Sequence, residues 1–297
     1  MDGETSLLAA PVQVIRDLPT PRQIALAGLR SLRRKPGPGA SLPTTRLLRE
    51  KTRLDERAAT KYARVCGFAP EQGVPPTWPH ILAFPLHMAL MMRADFPYPL
   101  IGLVHLRNRI RQHAKLSFGE ALDIEVGFAG FVAHPRGQAF IVEALARRGG
   151  ELVWQSTSTY LVRGVRNPAG EREQSQTPGP QPLRVLARLR LAANLGRRYA
   201  AVSGDTNPIH TSRIGARLLG FKRPIIHGMW NAARCLAAAL PARPVTSLDY
   251  DTAFKLPAFL PGSEILLSTV DGDTTILDLR DRSAARPHLR GLLTFTA

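Results

Sequence analysis

Asp205 and His210 stand five residues apart in the run Ser203-Gly204-Asp205-Thr206-Asn207-Pro208-Ile209-His210, on either side of an Asn-Pro step. A carboxylate and an imidazole that meet can hold a water molecule, one taking its proton and the other supplying or relaying a proton to a substrate carbon. An uninterrupted helix would not bring positions five apart onto one face. Proline biases the residue before it toward extended or turn backbone, so Asn207 can bend the chain and let the two side chains converge. A second ingredient follows at Pro224-Ile225-Ile226-His227-Gly228-Met229. If a helix starts at Gly228, its first N–H groups have no acceptor within the helix and lie at the positive end of the dipole. There they can stabilise negative charge developing on a carbonyl oxygen, and glycine admits a close approach. His227 either supports the loop through a hydrogen bond or acts directly.

The helix that must carry Gly228 is plain in the pattern. Met229, Ala232, Ala233, Leu236, Ala237 and Leu240 recur at three- and four-residue steps, and Pro241 ends the run. Its alanines would let a sheet wrap closely around it. In the N-terminal part, Pro79 precedes an apolar run from Ile81 to Met92 that suits a buried helix with Pro85 in its first turn. Strand alternation follows at Leu122, Ile124 and Val126, and again at Trp154, Ser156, Ser158 and Tyr160.

The chain repeats its own plan. Leu191 lies eight residues before Tyr199, as Leu54 does before Tyr62; Tyr199-Ala200 with Gly204 matches Tyr62-Ala63 with Gly67; and Pro224 leads a helix as Pro79 does. From tyrosine to proline the first copy has 17 residues and the second 25, so the first is shorter in the region that carries the chemistry. Between the copies, residues 166–182 are polar and rich in proline, with Pro168, Pro178, Pro180 and Pro182, and read as a linker. The expected division is a basic N-terminal arm at 1–43, a first unit at 44–165, the linker at 166–182 and a second unit at 183–297. Within the arm, Ile24, Leu26, Ala27, Leu29 and Leu32 could line one face of a short basic helix that covers the body of the protein or docks on an anionic surface.

Composition narrows the class. A formal charge of +17 attracts acidic partners, among them nucleic acid, an anionic membrane face, a phosphorylated cofactor or an acidic carrier protein. Aromatic residues are only 6% and are not interleaved with the basic ones, which argues against nucleic acid. Cys66 and Cys235 lack disulfide or metal spacing, no stretch is long and apolar enough to span a membrane, and an acidic start is unlike a secretory signal. A cytoplasmic protein without metal, and without phosphate-loop or dinucleotide fingerprints, is the expectation.

The dense run Tyr199-Ala200, Ser203-Gly204-Asp205, Asn207-Pro208-Ile209-His210, Gly220-Phe221 and Pro224 to Met229 resembles the signature of the MaoC-like dehydratases, the (R)-specific enoyl-CoA hydratases of the hotdog fold. Together with the repeat, it resembles their double-hotdog branch over most of residues 44–297. The resemblance implies an α+β fold of two tandem hotdogs, each an antiparallel sheet wrapped around a long central helix. It implies reversible syn addition of water to a trans-2-enoyl thioester, giving a (3R)-hydroxyacyl thioester. Asp205 and His210 would hold the water and the Gly228 amide would receive the thioester carbonyl, with Ser203, Asn207, His227 and Met229 binding substrate or supporting the loop. No cofactor is implied beyond the CoA or phosphopantetheine of the substrate, presented as an acyl-CoA or by an acyl carrier protein; a homodimer is the weaker expectation. A thioesterase on the same fold and a non-catalytic acyl-thioester binder are the alternatives. Two departures stand out. Leu236 occupies a position where the family carries serine, and the first repeat aligns Phe68 with Asp205 and Gly73 with His210, which leaves one active site per chain, with the first half shaping an acyl tunnel.

Overall fold

The computed structural model describes residues 10–35, 39–172 and 182–296. Its elements run β1 (Val12–Val14), α1 (Pro21–Ser31), β2 (Arg46–Arg53), α2 (Glu56–Cys66), α3 (Trp78–Met92), β3 (Val104–Gln112), β4 (Ala121–His134), β5 (Gly137–Arg148) and β6 (Glu151–Arg163). They continue as β7 (Arg184–Leu191), α4 (Leu195–Ser203), α5 (Pro208–Thr211), α6 (Arg213–Leu218), α7 (Gly228–Ala239), β8 (Ser247–Phe254), β9 (Gly262–Asp271), β10 (Thr274–Asp281) and β11 (Pro287–Thr296).

Among the described residues, eleven strands form one sheet in the order β1-β2-β4-β5-β6-β3-β8-β11-β10-β9-β7. Read outward from the middle, β3-β6-β5-β4-β2 and β8-β11-β10-β9-β7 are the same topology twice. The two copies meet where β3 pairs antiparallel with β8, from Arg107 opposite Ala253 to Gln112 opposite Leu248. Charge fixes this seam as well as backbone bonds do: Arg109 grips Asp249 through two contacts of 2.8 and 2.6 Å, Arg111 reaches the same carboxylate at 3.1 Å, and Arg107 pairs with Asp251. Burial alone would raise the Asp249 carboxyl, but Arg109 and Arg111 outweigh it and hold the group below its ordinary value.

Each half wraps its sheet around one helix. In α7, Ala233, Cys235 and Leu236 are fully buried and Trp230 and Ala232 nearly so, which is the pattern of a helix enclosed on most sides. In α3 the buried set includes Ile81, Ala83, Leu86, Leu90 and Met91. The helix starts at Trp78, earlier than the apolar run alone indicated. Pro79 therefore takes the first-turn position, and Pro85 lies in the helix interior.

The repeated tyrosines mark the internal symmetry. Tyr62 on α2 and Tyr199 on α4 are buried with their rings 6.1 Å apart, and each helix ends in a left-handed glycine, Gly67 at φ 81° and Gly204 at φ 76°. Beyond these glycines the copies diverge. The second continues into α5 and α6. The first makes one short 3₁₀ turn, Pro70–Gln72, and the Gln72 amide donates to the Ala237 and Leu240 carbonyls at the end of α7, each at 3.1 Å. In return the Trp230 indole donates to the Val65 carbonyl at 2.9 Å. Phe68 is core.

The N-terminal segment is bound to the first half. β1 pairs with β2, and Arg34 donates to the carbonyls of Met91, Met92, Arg93 and Tyr98 at 2.9, 3.3, 2.7 and 3.1 Å. A guanidinium thus satisfies the last carbonyls of α3 at the negative end of its dipole. The buried face of α1 is Gly28 and Ser31, with Ile24 and Ala27 half-buried; Leu26, Leu29 and Leu32 of the anticipated apolar face are exposed. Gly28 packs against Ile101, whose side chain lies 3.4 Å from its Cβ position. The stretch expected to begin the linker is also tied down, Ala169 exchanging bonds of 2.7 and 2.9 Å with the Gln138 side chain. Pro178 and Pro180 lie outside the described residues. Among the described residues no helix is long and apolar enough to cross a membrane.

Candidate active site

The loop after α4 is assembled by its own polar side chains. Gly204 reverses the chain, and Ser203 Oγ, itself buried, accepts from the Asp205 amide at 3.2 Å. The Asp205 carboxylate accepts from Asn207 N at 3.2 Å, and Asn207, extended at φ −50° and ψ 126°, in turn caps α5 by accepting from Ile209 N at 3.2 Å. His210 rides on α5. Its position depends on Gly196 in the first turn of α4, where a Cβ would lie 2.1 Å from the His210 carbonyl oxygen. Gly215 does the same for α6, where a Cβ would sit 2.5 Å from the Pro208 ring. Neither glycine was singled out from the sequence, because the close approach is between segments and not within one.

The 224–227 segment closes over this loop. Ile225 N donates to the Ile209 carbonyl at 3.1 Å, Ile226 N to the Ala258 carbonyl at 2.9 Å, and Leu260 N to the Pro224 carbonyl at 2.8 Å. His210 Nδ1 lies 2.8 Å from the Ile225 carbonyl and must donate to it, which leaves Nε2 as the acceptor. His227 Nε2 lies 3.0 Å from the Asp205 carbonyl and likewise donates. The two imidazoles stack with centroids 3.7 Å apart, and the Tyr199 ring packs against His227 at 4.8 Å.

Asp205, His210 and His227 therefore converge, with one ligand-type atom from each lying within 4.8 Å of the others. This is a donor set that a metal ion could also use, although the sequence spacing did not announce one. His210 Nδ1 and His227 Nε2 are committed as donors to backbone carbonyls, which leaves His210 Nε2 and His227 Nδ1 as the lone-pair nitrogens of the set. Burial lowers the His210 pKa against the raising influence of Asp205 and of the bond to Ile225. Burial pushes His227 down to about 3, with His210 adding to the shift. Both rings are neutral at physiological pH.

Gly228 opens α7 next to this pair. The His227 carbonyl accepts from Trp230 N and Asn231 N at 3.1 and 3.3 Å, so the amides of Gly228 and Met229 fall in the part of the first turn for which the helix has no acceptor. A Cβ on Gly228 would meet the Phe254 ring at 3.0 Å. Met229 is buried in the core, where it packs as a hydrophobe. Phe254 leads across the seam to residues the sequence reading missed. His105 on β3 packs on Phe254 at 4.9 Å and stacks on Tyr160 of β6 at 4.7 Å. Through Phe254, the ring against Gly228, His105 brings the first half up to the start of α7.

Comparison with known proteins agrees with this architecture. Residues 174–247, which hold the Asp205–Gly228 constellation, match the MaoC like domain. The chain is 32% identical over 248 residues to the 3-hydroxyacyl-thioester dehydratase X of Mycobacterium tuberculosis, covering 84% of this chain and 88% of that one. A crystal structure of HtdX from the same organism superposes with a TM-score of 0.70 at 31% identity, covering 84% of this chain and 98% of the other. Over 92 residues the chain is 36% identical to the (R)-specific enoyl-CoA hydratase of Aeromonas caviae, 29% of this chain and 68% of that one. With a relative this similar over nearly its whole length, and with the matched domain placed on the loop that joins Asp205, His210 and the start of α7, the chain belongs to the MaoC-like dehydratase family.

Proposed function

We propose that the protein is a hydratase/dehydratase that interconverts trans-2-enoyl and (3R)-3-hydroxyacyl thioesters. The observation that carries this reading is the convergence of Asp205 and His210 beside the N-terminus of α7, with His210 Nδ1 bound to the Ile225 carbonyl and Nε2 left as the acceptor. Burial keeps that imidazole neutral and so able to take a proton. Conjugation to the thioester makes Cβ electrophilic. Water held by Asp205 and His210 adds its oxygen to Cβ and gives up one proton to the pair, and that same proton is relayed to Cα on the same face, so that H₂O is added overall. Negative charge on the thioester oxygen is met by the Gly228 amide, aided by the dipole of α7. His227 anchors the Asp205 carbonyl, Ser203 and Asn207 hold the loop, and Met229 fixes the start of the helix in the core.

The thioester is presented on CoA or on a phosphopantetheine arm, and the strong positive charge suits the phosphates of either carrier. A cytoplasmic location and a homodimer complete the proposal. The test is loss of the conjugated enoyl absorbance with crotonyl-CoA and longer trans-2-enoyl-CoAs. Asp205→Asn and His210→Ala should each lower kcat by roughly two orders of magnitude or more. Wild-type rates in either variant would overturn the assignment, and release of free CoA without hydration would identify a thioesterase instead.

A further inference from the structure

Three imidazoles and a phenol that the proposed reaction does not use pack together in the first half. His80 and His87 stand seven residues apart on one face of α3 and are 2% and 0% exposed. His105 comes from β3 and Tyr160 from β6. The His80 and His105 rings lie parallel at 6.4 Å, His80 meets His87 edge-on at 5.5 Å, and His87 Nδ1 is 3.4 Å from the Tyr160 hydroxyl. His105 also rests on Phe254, the ring against Gly228. The cluster thus begins at the wall of the carbonyl site and runs into the first half.

Its hydrogen-bonding capacity is left open by the protein itself. His80 Nδ1, His87 Nε2 and His105 Nε2 are buried atoms without a protein partner. Buried polar groups are costly unless paired. Purely apolar packing would be better served by leucine or phenylalanine at the same positions. Burial holds His80 near 4 and His105 near 3 and lowers His87 well below its ordinary value, so each ring is uncharged and offers one donor and one acceptor. Neutral rings suit an un-ionised oxygen and give no net charge to hold a carboxylate.

We propose that the His80, His87, His105 and Tyr160 cluster is an acyl-recognition subsite for a neutral oxygen substituent, a hydroxyl or keto group carried beyond the two reacting carbons. The proposal rests on the hydratase reading of the adjacent site and deepens it by naming the substrate class.

Binding and turnover separate the two ideas. Calorimetry with the intact wild-type chain compares saturated eight-carbon acyl-CoAs that are plain, ω-carboxylated, or hydroxylated or oxidised to a ketone at successive carbons beyond C3. None of them needs to react. At least one hydroxyl or keto ligand is expected to bind about tenfold tighter than the plain chain, the worth of one well-made hydrogen bond. Tyr160→Phe, which removes only an oxygen, and His87→Leu should cut that advantage to roughly two- to threefold or less while leaving plain-chain affinity unchanged or higher. Equal or tighter binding of the plain chain by wild type, preference for the carboxylate, or a preference that survives both substitutions would overturn the subsite. If crotonyl-CoA is hydrated but no oxygenated ligand is preferred, the subsite fails and the hydratase reading stands. If the preference is found without hydration of any enoyl thioester, the reverse holds.

Discussion

Gly196→Ala is a small change outside the reacting groups whose effect can be worked from one contact. The added methyl would sit 2.1 Å from the His210 carbonyl oxygen and 3.2 Å from Leu260. Cβ atoms essentially never approach another heavy atom closer than 3.0 Å, so α4 and α5 must separate by about 1 Å. His210 cannot follow such a shift and keep both its 2.8 Å bond to the Ile225 carbonyl and its stacking at 3.7 Å on His227. Displacement of a catalytic group by about 1 Å costs on the order of a hundredfold in rate. Overpacking should also cost roughly 1–3 kcal/mol of stability, partly offset by the better helix propensity of alanine, about 1 kcal/mol. The assay is enoyl-CoA hydration at saturating substrate, with urea unfolding run in parallel. The expectation is kcat reduced about a hundredfold in a protein that remains folded, with KM little changed. Gly204→Ala is the control, since nothing lies within 4 Å of its Cβ position and its φ of 76° makes the penalty one of backbone strain. A folded Gly196→Ala protein with wild-type kcat would refute the claim that this glycine sets the place of His210.

Two buried imidazoles predict acid lability. His80 and His227 have folded pKa values of about 4 and about 3 against an ordinary 6.5. Their contribution is whole above pH 6.5 and is lost as pH falls toward the folded values, because only the unfolded chain takes up the protons. Between pH 7.5 and 5.5 the two should remove about 3 kcal/mol, read from urea unfolding at each pH; a flat profile would contradict their burial. Glu264 behaves oppositely, since burial raises its carboxyl from 4.5 to about 8 while Asn231 donates to it at 3.1 Å. Stability from this group is full below pH 4.5 and lost as pH rises through 8, so Glu264→Gln should stabilise at pH 7 by on the order of 3 kcal/mol and not at pH 4. Arg34→Ala strips four carbonyls of their donor and should cost roughly 2–3 kcal/mol, seen as a lowered Tm.

What could be read from the sequence was what is local or periodic. The helix at Gly228 and the strand at Leu122 announce themselves because their burial follows a 3.6- or 2-residue period. Asp205 and His210 are legible because Pro208 makes a local bend. Pro85 was misplaced by a few residues because Trp78 begins the helix with an aromatic that reads equally well as loop. The His105–Tyr160 wall was illegible in this sense: it joins β3 to β6 and is set beside Gly228 only by the pairing of β3 with β8. A trace of it existed in His80 and His87, seven apart in an otherwise apolar run, and in the polar inward row Ser156, Ser158 and Tyr160. Gly196 left no local trace, since its partner is the backbone of another segment.

The Gln72 bonds to the end of α7 and the Trp230 bond to Val65 change what the internal duplication means for the history of the chain. Two identical hotdogs would each offer a catalytic loop to the other. Here the loop without acid and imidazole holds the end of α7 through Gln72, and Trp230 on α7 answers with its bond to Val65, so the two halves make unlike contacts with each other. A chain severed between the halves should reassemble as a pair of unlike pieces, and the second half alone should not replace its missing partner with a copy of itself. The segments after Gly67 and Gly204 differ, so the contacts that each half offers the other are not interchangeable.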